Sequence, residues 1–422
     1  MSSEHHPLAD PGVRPRRARR RRRWPLLATL LAVLVAAGVY VPSALSAPLA
    51  RASAELRIIE PVTAQPAQLA WPAQGRAAIG LADGEGVLAT NGADDAGVLA
   101  SITKVVANLV VLDARPLAAG ESGPVITTTA RDVEHWNFWV ADNASVQPVS
   151  PGLTFTQREL MELSLIPSAA NYTHTLIDWA YGDMDRFLAA ARVWLDERGL
   201  TSIRLADGTG LSPHNLGTAA DLVALARYAV AEPAIVEITG MTSAEIPVVG
   251  QIRNTNRILG IGGITGLKTG YTVEAGYNLL FSATVDVDGA PVELVGAVLG
   301  GTSRDANGED VLRLVASAAQ HLHRVTAIAE GDELGEYRTA WGATTTAVAA
   351  DDVELLLWGD ERAAVEVRLD PLSAAAPGDR VGTVVVTAPD GARTTVDAVA
   401  SGALDEADAL WRLGNPAAVF GG

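Results

Sequence analysis

The chain contains thirty arginines but only two lysines, Lys104 and Lys268. A guanidinium keeps its proton in a protein, whereas a lysine can act as a base once burial or a neighbouring cation lowers its pKa. Lys104 stands three residues after Ser101 in ASITKVV, residues 100–106. On a helix, positions i and i+3 share a face, so the Ser101 hydroxyl and the Lys104 amine can meet. A serine becomes a useful nucleophile when an adjacent base takes its proton. Bringing a lysine from ~10.4 to near 7 costs roughly 4–5 kcal/mol, which a folded core can supply. The same spacing also fits a surface lysine beside a helix-capping serine, so the pair carries weight only in company.

The second lysine supplies that company. It lies in GLKTGYT, residues 266–272, and a serine-containing PSAAN, residues 167–171, falls between the two. S-x-x-K followed by K-T-G, with a serine element between them, is the motif set of penicillin-recognising serine enzymes.

Several elements must hold these residues. SITKVVANLVVLDA (101–114) has helical apolar spacing and carries the Ser101–Lys104 pair. Thr156 and Glu159 have capping-box spacing at the start of a helix that Pro167 interrupts, which places PSAAN at a break between two helices. Thr218 with Asp221 opens another helix. Residues 264–300 read as strand, loop, strand, turn, strand, with VDVDGA suited to a hairpin, and two short strands are expected within 75–94. EDVLRLVASAAQHLHRVTAIA (309–329) reads as an amphipathic helix, and short β-rich runs follow residue 331.

Charge and hydropathy place the chain in the cell. Residues 1–23 carry eight arginines against Glu4 and Asp10. The remaining 399 residues hold 24 basic and 47 acidic groups, net −23, a body that repels nucleic acid. WPLLATLLAVLVAAGVYV (24–41) is uncharged and close to the minimum bilayer span, and the preceding arginines predict that its N-terminal end stays in the cytoplasm. The alternative is a secretory signal cleaved near SALSA (43–47). With no cysteine and with scattered histidines, of which the close-set His321 and His323 face apart on a helix, no metal and no cofactor is expected. The organisation expected is a basic arm (1–23), a membrane anchor (24–41), a Pro- and Ala-rich stalk (42–70), a catalytic domain (71–330) and a β-rich domain (331–422).

On ASITKVV, LIPSAANY, DGTGLSPHNLGTAADLVALARYA, NTNRIL and GITGLKTGYTVEAGYNL, the region 71–329 resembles the serine-type D-alanyl-D-alanine carboxypeptidases, low-molecular-mass penicillin-binding proteins related to β-lactamases. The resemblance implies an α/β (α+β) fold, with an antiparallel sheet flanked by helices, an all-helical subdomain and a small β-rich C-terminal domain. It implies that Ser101 attacks the bond between the two terminal D-alanines of a peptidoglycan stem peptide, with Lys104 as general base and Ser168 as proton relay to the leaving amine. Lys268 and Thr269 are expected to hold the terminal carboxylate, and Gly270 to admit the substrate backbone. The N–H groups of Ser101 and Tyr271 are expected to form an oxyanion hole. Arg304 is expected to be either a second carboxylate contact or a solvated loop arginine. Implied partners are the stem peptide, β-lactams as inhibitors and the membrane.

One departure stands out. The family's middle motif is Ser-x-Asn, but Ala170 occupies the asparagine position and Asn171 follows it. This leaves three readings: weakened catalysis, an Asn171 that turns inward to bind substrate, or an inactive wall-binding protein. A serine β-lactamase is a further alternative, disfavoured because no Glu-x-x-Leu-Asn segment occurs between Ser168 and Lys268.

Overall fold

The computed structural model describes residues 24–57, 66–92 and 95–421, so the arginine-rich arm lies outside the described residues. The chain opens with α1 (Trp24–Ser46), a 23-residue helix with a mean hydropathy of 2.1 over its most apolar window and none of that window buried. It is long and apolar enough to cross a membrane, as an anchor or a signal sequence would be.

The site-bearing region is built on a five-stranded antiparallel sheet in the order Ile264–Thr272, Gly276–Val287, Ala290–Gly301, Arg76–Leu81, Ala89–Asn91. Its central strands read as long apolar runs because both faces are covered. Successive residues alternate between two cores: Leu280, Val295 and Ala297 face the helical side, while Leu279, Phe281 and Val298 face α9 (Arg304–Ala319). Asp288 and Gly289 form the two-residue hairpin turn, with φ of 54° and 86°, the backbone of a type I′ turn.

The helical side contains α2 (Thr103–Ala114), α3 (Ala130–Ala141), α4 (Gln157–Leu165), α5 (Ala170–Tyr181), α6 (Met184–Glu197), α7 (Ala219–Val230) and α8 (Pro233–Thr239). Residues 103–112 of α2 are all buried, which makes it the axle of this layer. The capping box at Thr156 and Glu159 starts α4, and the Thr218 side chain accepts from the Asp221 N–H at the start of α7.

Two expectations change. The 309–329 run is a helix only to Ala319. Leu322–Ile328 is a strand paired with Val353–Trp358, where β-branched Val325, Thr326 and Ile328 suit a pleated surface. The 42–70 segment is not simply a lead-in, because Ala54–Leu56 adds a strand beside Glu333–Arg338, in the register Ala54↔Tyr337. Pairing there satisfies an edge that would otherwise stand open. That six-stranded sheet surrounds a third core, including Leu334, Tyr337, Val384 and Ala398, so the C-terminal region is β-rich as expected.

Candidate active site

A 3₁₀ turn, Ala100–Ile102, delivers Ser101 to the start of α2, and Lys104 is the second residue of that helix. The turn is held from two sides. Gly210, at φ +87°, packs so close that a Cβ would fall 1.9 Å from the Ala100 carbonyl oxygen. On the other side, a Cβ at Gly270 would lie 2.9 Å from Leu99 O and 3.1 Å from Ser101 N. Glycine at 270 therefore lets the edge strand Ile264–Thr272 press against the nucleophile's own turn. Asn278 completes the clamp: its Nδ2 donates to Val98 O and Leu99 O at 2.8 and 3.2 Å.

The Lys104 side chain is completely buried, with Nζ donating to Ser101 Oγ at 3.0 Å and to Thr209 O at 2.5 Å. Burial pushes this amine down to about 7, against an opposing pull from the Asp207 carboxylate. Asp207 shapes the loop itself. Its carboxylate accepts from the N–H groups of Thr209, Gly210 and Ser212 at 2.6–2.7 Å, which turns the Thr209 carbonyl toward Lys104.

Lys268 is also buried, donating to Thr269 O at 3.0 Å. Burial, then repulsion from Lys104 and Arg304, holds its pKa well below the usual ammonium range. Thr269 Oγ1 bonds Thr255 Oγ1 at 2.6 Å, and Arg304 Nη1 donates to Thr255 O at 3.0 Å. Lys104 and Arg304 line a cleft of about 240 Å³, and Lys268 lies buried near both, behind the lining rather than in it. The cleft lining includes Ser101, Lys104, Ser168, Thr269, Tyr271 and Arg304, with Gly270 on the same strand. Arg304 faces this cleft and is not a solvated loop arginine.

Pro167 breaks the helix as the sequence indicates, and Ser168 follows at φ +65°, a conformation costly for a non-glycine residue. Its side chain lines the cleft, and among the described residues its hydroxyl has no protein partner. Asn171 does not turn inward. Its Oδ1 accepts from Gln147 N at 3.1 Å and its Nδ2 donates to Gln147 O at 3.0 Å, so both ends of the amide are spent on backbone. Ala170 N donates to Ser145 O, Ser145 Oγ donates to Pro167 O, and Tyr172 OH donates to Pro148 O. The helix break therefore anchors the 143–148 loop, and the expectation that Asn171 binds substrate is corrected to a role in holding that loop.

That loop contributes a residue the motifs did not indicate. Asn143, at φ +50° just after α3, lines the cleft, and among the described residues its side-chain amide has no internal partner. The available signal was Asp-Asn at a helix end, because asparagine tolerates the left-handed conformation that closes helices.

A buried amine near neutral pKa, touching a hydroxyl beside an edge strand and a cluster of cations, can transfer an acyl group from a substrate bearing a terminal carboxylate. Comparison with known proteins agrees with this chemistry. The family model described as D-alanyl-D-alanine carboxypeptidase (peptidase S11) matches residues 63–302. A D-alanyl-D-alanine endopeptidase from Haemophilus influenzae is 31% identical over 128 residues, 29% of this chain and 44% of that protein. The D-alanyl-D-alanine carboxypeptidase DacD of Salmonella typhimurium is 27% identical over 255 residues, 58% of this chain and 62% of that protein. The chain thus spans less than two thirds of either relative. Among solved structures, penicillin binding protein 5 from Haemophilus influenzae has a TM-score of 0.57 at 18% identity, covering 79% of this chain and 99% of that one. PBP3 from Streptococcus pneumoniae has a TM-score of 0.58 at 22% identity, covering 78% and 99%. The two structures share the fold, and the family model covers more than half of the sequence. The chain belongs to the D-alanyl-D-alanine carboxypeptidase family of serine peptidases.

Proposed function

We propose that this protein is a membrane-anchored, extracytoplasmic D-alanyl-D-alanine carboxypeptidase that trims peptidoglycan stem peptides. The observation that carries the reading is the fully buried Lys104 amine, pushed down to about 7 and 3.0 Å from Ser101 Oγ. Neutral Lys104 takes the Ser101 proton as Oγ attacks the carbonyl between the two D-alanines. The oxyanion is received by the N–H groups of Ser101 and Tyr271, each such donor being worth about 3–4 kcal/mol in comparable sites. The C–N bond breaks, the leaving amine collects a proton through Ser168, and water then cleaves the acyl-serine ester. Thr269 and Arg304 hold the terminal carboxylate, with Lys268 buried behind them. The edge position of strand Ile264–Thr272 lets a peptide lie along it as an added strand. Asn143 supplies the amide that position 170 lacks.

The detergent-solubilised chain is expected to release D-alanine from a pentapeptide ending in D-Ala-D-Ala. Ser101→Ala abolishes release, and Lys104→Arg, which keeps the charge but cannot deprotonate, is equally dead. An active Lys104→Arg overturns the general-base role. Because relatives include proteins named endopeptidases, the assay also offers a cross-linked dimeric peptide. Ala170 favours one second reading, an inactive wall-binding homologue. That reading predicts acylation by fluorescent penicillin with no peptide turnover.

A further inference from the structure

Away from the cleft, α3 and α5 are joined by a group of side chains that the reaction does not use. His135 Nε2 lies 2.8 Å from Asp178 Oδ2, and His174 Nε2 lies 3.8 Å from Asp178 Oδ1. The two imidazoles stack with centroids 3.6 Å apart and planes 14° from parallel. One ligand atom from each of the three residues falls within 4.8 Å of the others. All three side chains are largely buried, at 13–15% exposure, and Asp178 Oδ1 is buried without a hydrogen-bond partner.

We propose that His135, His174 and Asp178 form a binding site for a divalent transition-metal cation of the zinc class. His174 and Asp178 are four apart on α5, so their side chains project from one face, and α3 brings His135 against them. Tetrahedral bonds of ~2.0–2.1 Å place ligand atoms roughly 3.3 Å apart, so on binding the trio draws in from within 4.8 Å, the stacked rings turn until their in-plane lone pairs converge, and the His135–Asp178 hydrogen bond opens. Two imidazoles and one carboxylate select zinc, cobalt, nickel or copper over magnesium or calcium, which prefer all-oxygen shells. Three protein ligands leave a fourth position for water. Arg131 Nε lies 2.8 Å from Asp178 Oδ2, which leaves Oδ1 for the cation but sets a like charge beside it. Trp139 Nε1 donates to His174 Nδ1 at 3.3 Å. When the cation takes Nε2 of the neutral ring, the ring proton moves to Nδ1, so this tryptophan contact must open.

The test uses the full chain, solubilised, chelator-stripped and carrying His5→Ala and His6→Ala to remove the adjacent N-terminal pair. Co²⁺ is expected to bind one per chain with visible d–d absorption, to be displaced by Zn²⁺, and to quench tryptophan emission less in Trp139→Phe. His135→Ala and His174→Ala should each weaken binding at least tenfold. Arg131→Gln removes a like charge beside the ligand and should tighten binding severalfold, a change that a merely structural staple has no reason to show. No saturable Co²⁺ binding, or binding unchanged in the histidine variants that still melt cooperatively, overturns the site. If those variants fail to fold, the proposal stands or falls on the one-to-one Co²⁺ stoichiometry and the Arg131→Gln response.

Discussion

Lys104 and Lys268 are both buried, and for Lys104 that burial has a consequence that can be measured. Lys104 is fully buried, and its pKa falls from 10.5 to about 7. Between those values the unfolded chain holds the proton that the folded chain has released, so stability rises with pH across that window. Below about pH 7 both states are protonated and the whole penalty is present, on the order of 4–5 kcal/mol. We therefore expect the stability difference between the wild type and Lys104→Met to shift in favour of the wild type by several kcal/mol from pH 7 to pH 10. Urea melts at stepped pH measure this, and a flat difference excludes the depressed pKa. Asn143 offers a second residue-scale test. Its side-chain amide is exposed and without an internal partner, so Asn143→Gly, which removes the amide and accepts φ +50°, should leave the melting temperature nearly unchanged. Loss of one hydrogen bond to substrate, about 0.5–1.5 kcal/mol, lowers kcat/KM for the peptide about 3–10-fold. An unaltered kcat/KM removes Asn143 from the site.

At the scale of elements, the decisive device is the break between α4 and α5. Its serine faces the cleft, while Asn171 and Tyr172 hold the 143–148 loop. Asn171→Ala strands the N–H and C=O of Gln147, and we expect a loss of about 2–4 kcal/mol together with faster amide exchange across 143–148. If exchange there is unchanged, the loop has other moorings. Much of this element was legible in the sequence. The capping box at Thr156 and the proline at 167 mark both ends of α4 by local chemistry. The direction of Asn171 was not legible, because it depends on a loop more than twenty residues earlier in the chain. The His135–His174 pairing was hidden for the same reason, since only the i,i+4 spacing of His174 and Asp178 on one helix could have hinted at it.

Across the whole molecule, the readable part was whatever local periodicity dictates, and the unreadable part was pairing over long sequence distances. The hairpin at Asp288–Gly289 is local and follows from two residues. The strand Ala54–Leu56 is three residues long and pairs almost three hundred positions away, so no local pattern could assign it. Beyond that ladder, three further bonds tie the segment just after α1 to the C-terminal sheet: Arg57 N to Leu334 O at 3.0 Å, Ala52 N to Leu372 O at 2.7 Å, and Leu372 N to Ala52 O at 2.9 Å. If α1 is a membrane anchor, this connection sets how far the β-rich region stands from the bilayer. A chain beginning at residue 48 keeps this edge strand and, among hydrogen bonds to the C-terminal region, loses only those of Tyr40 OH to Leu413 O and of Arg412 Nη1 to Ala47 O. One beginning at residue 58 loses the edge strand and, at about 0.5–1.5 kcal/mol per bond, on the order of 2–4 kcal/mol. Amide exchange in Glu333–Arg338 should accelerate in the shorter chain, while exchange in α2, which belongs to a separate core, stays as slow as before. Equal protection of Glu333–Arg338 in both chains shows that the strand adds nothing to the sheet. Acceleration in α2 as well shows that the cores are coupled and unfold as one.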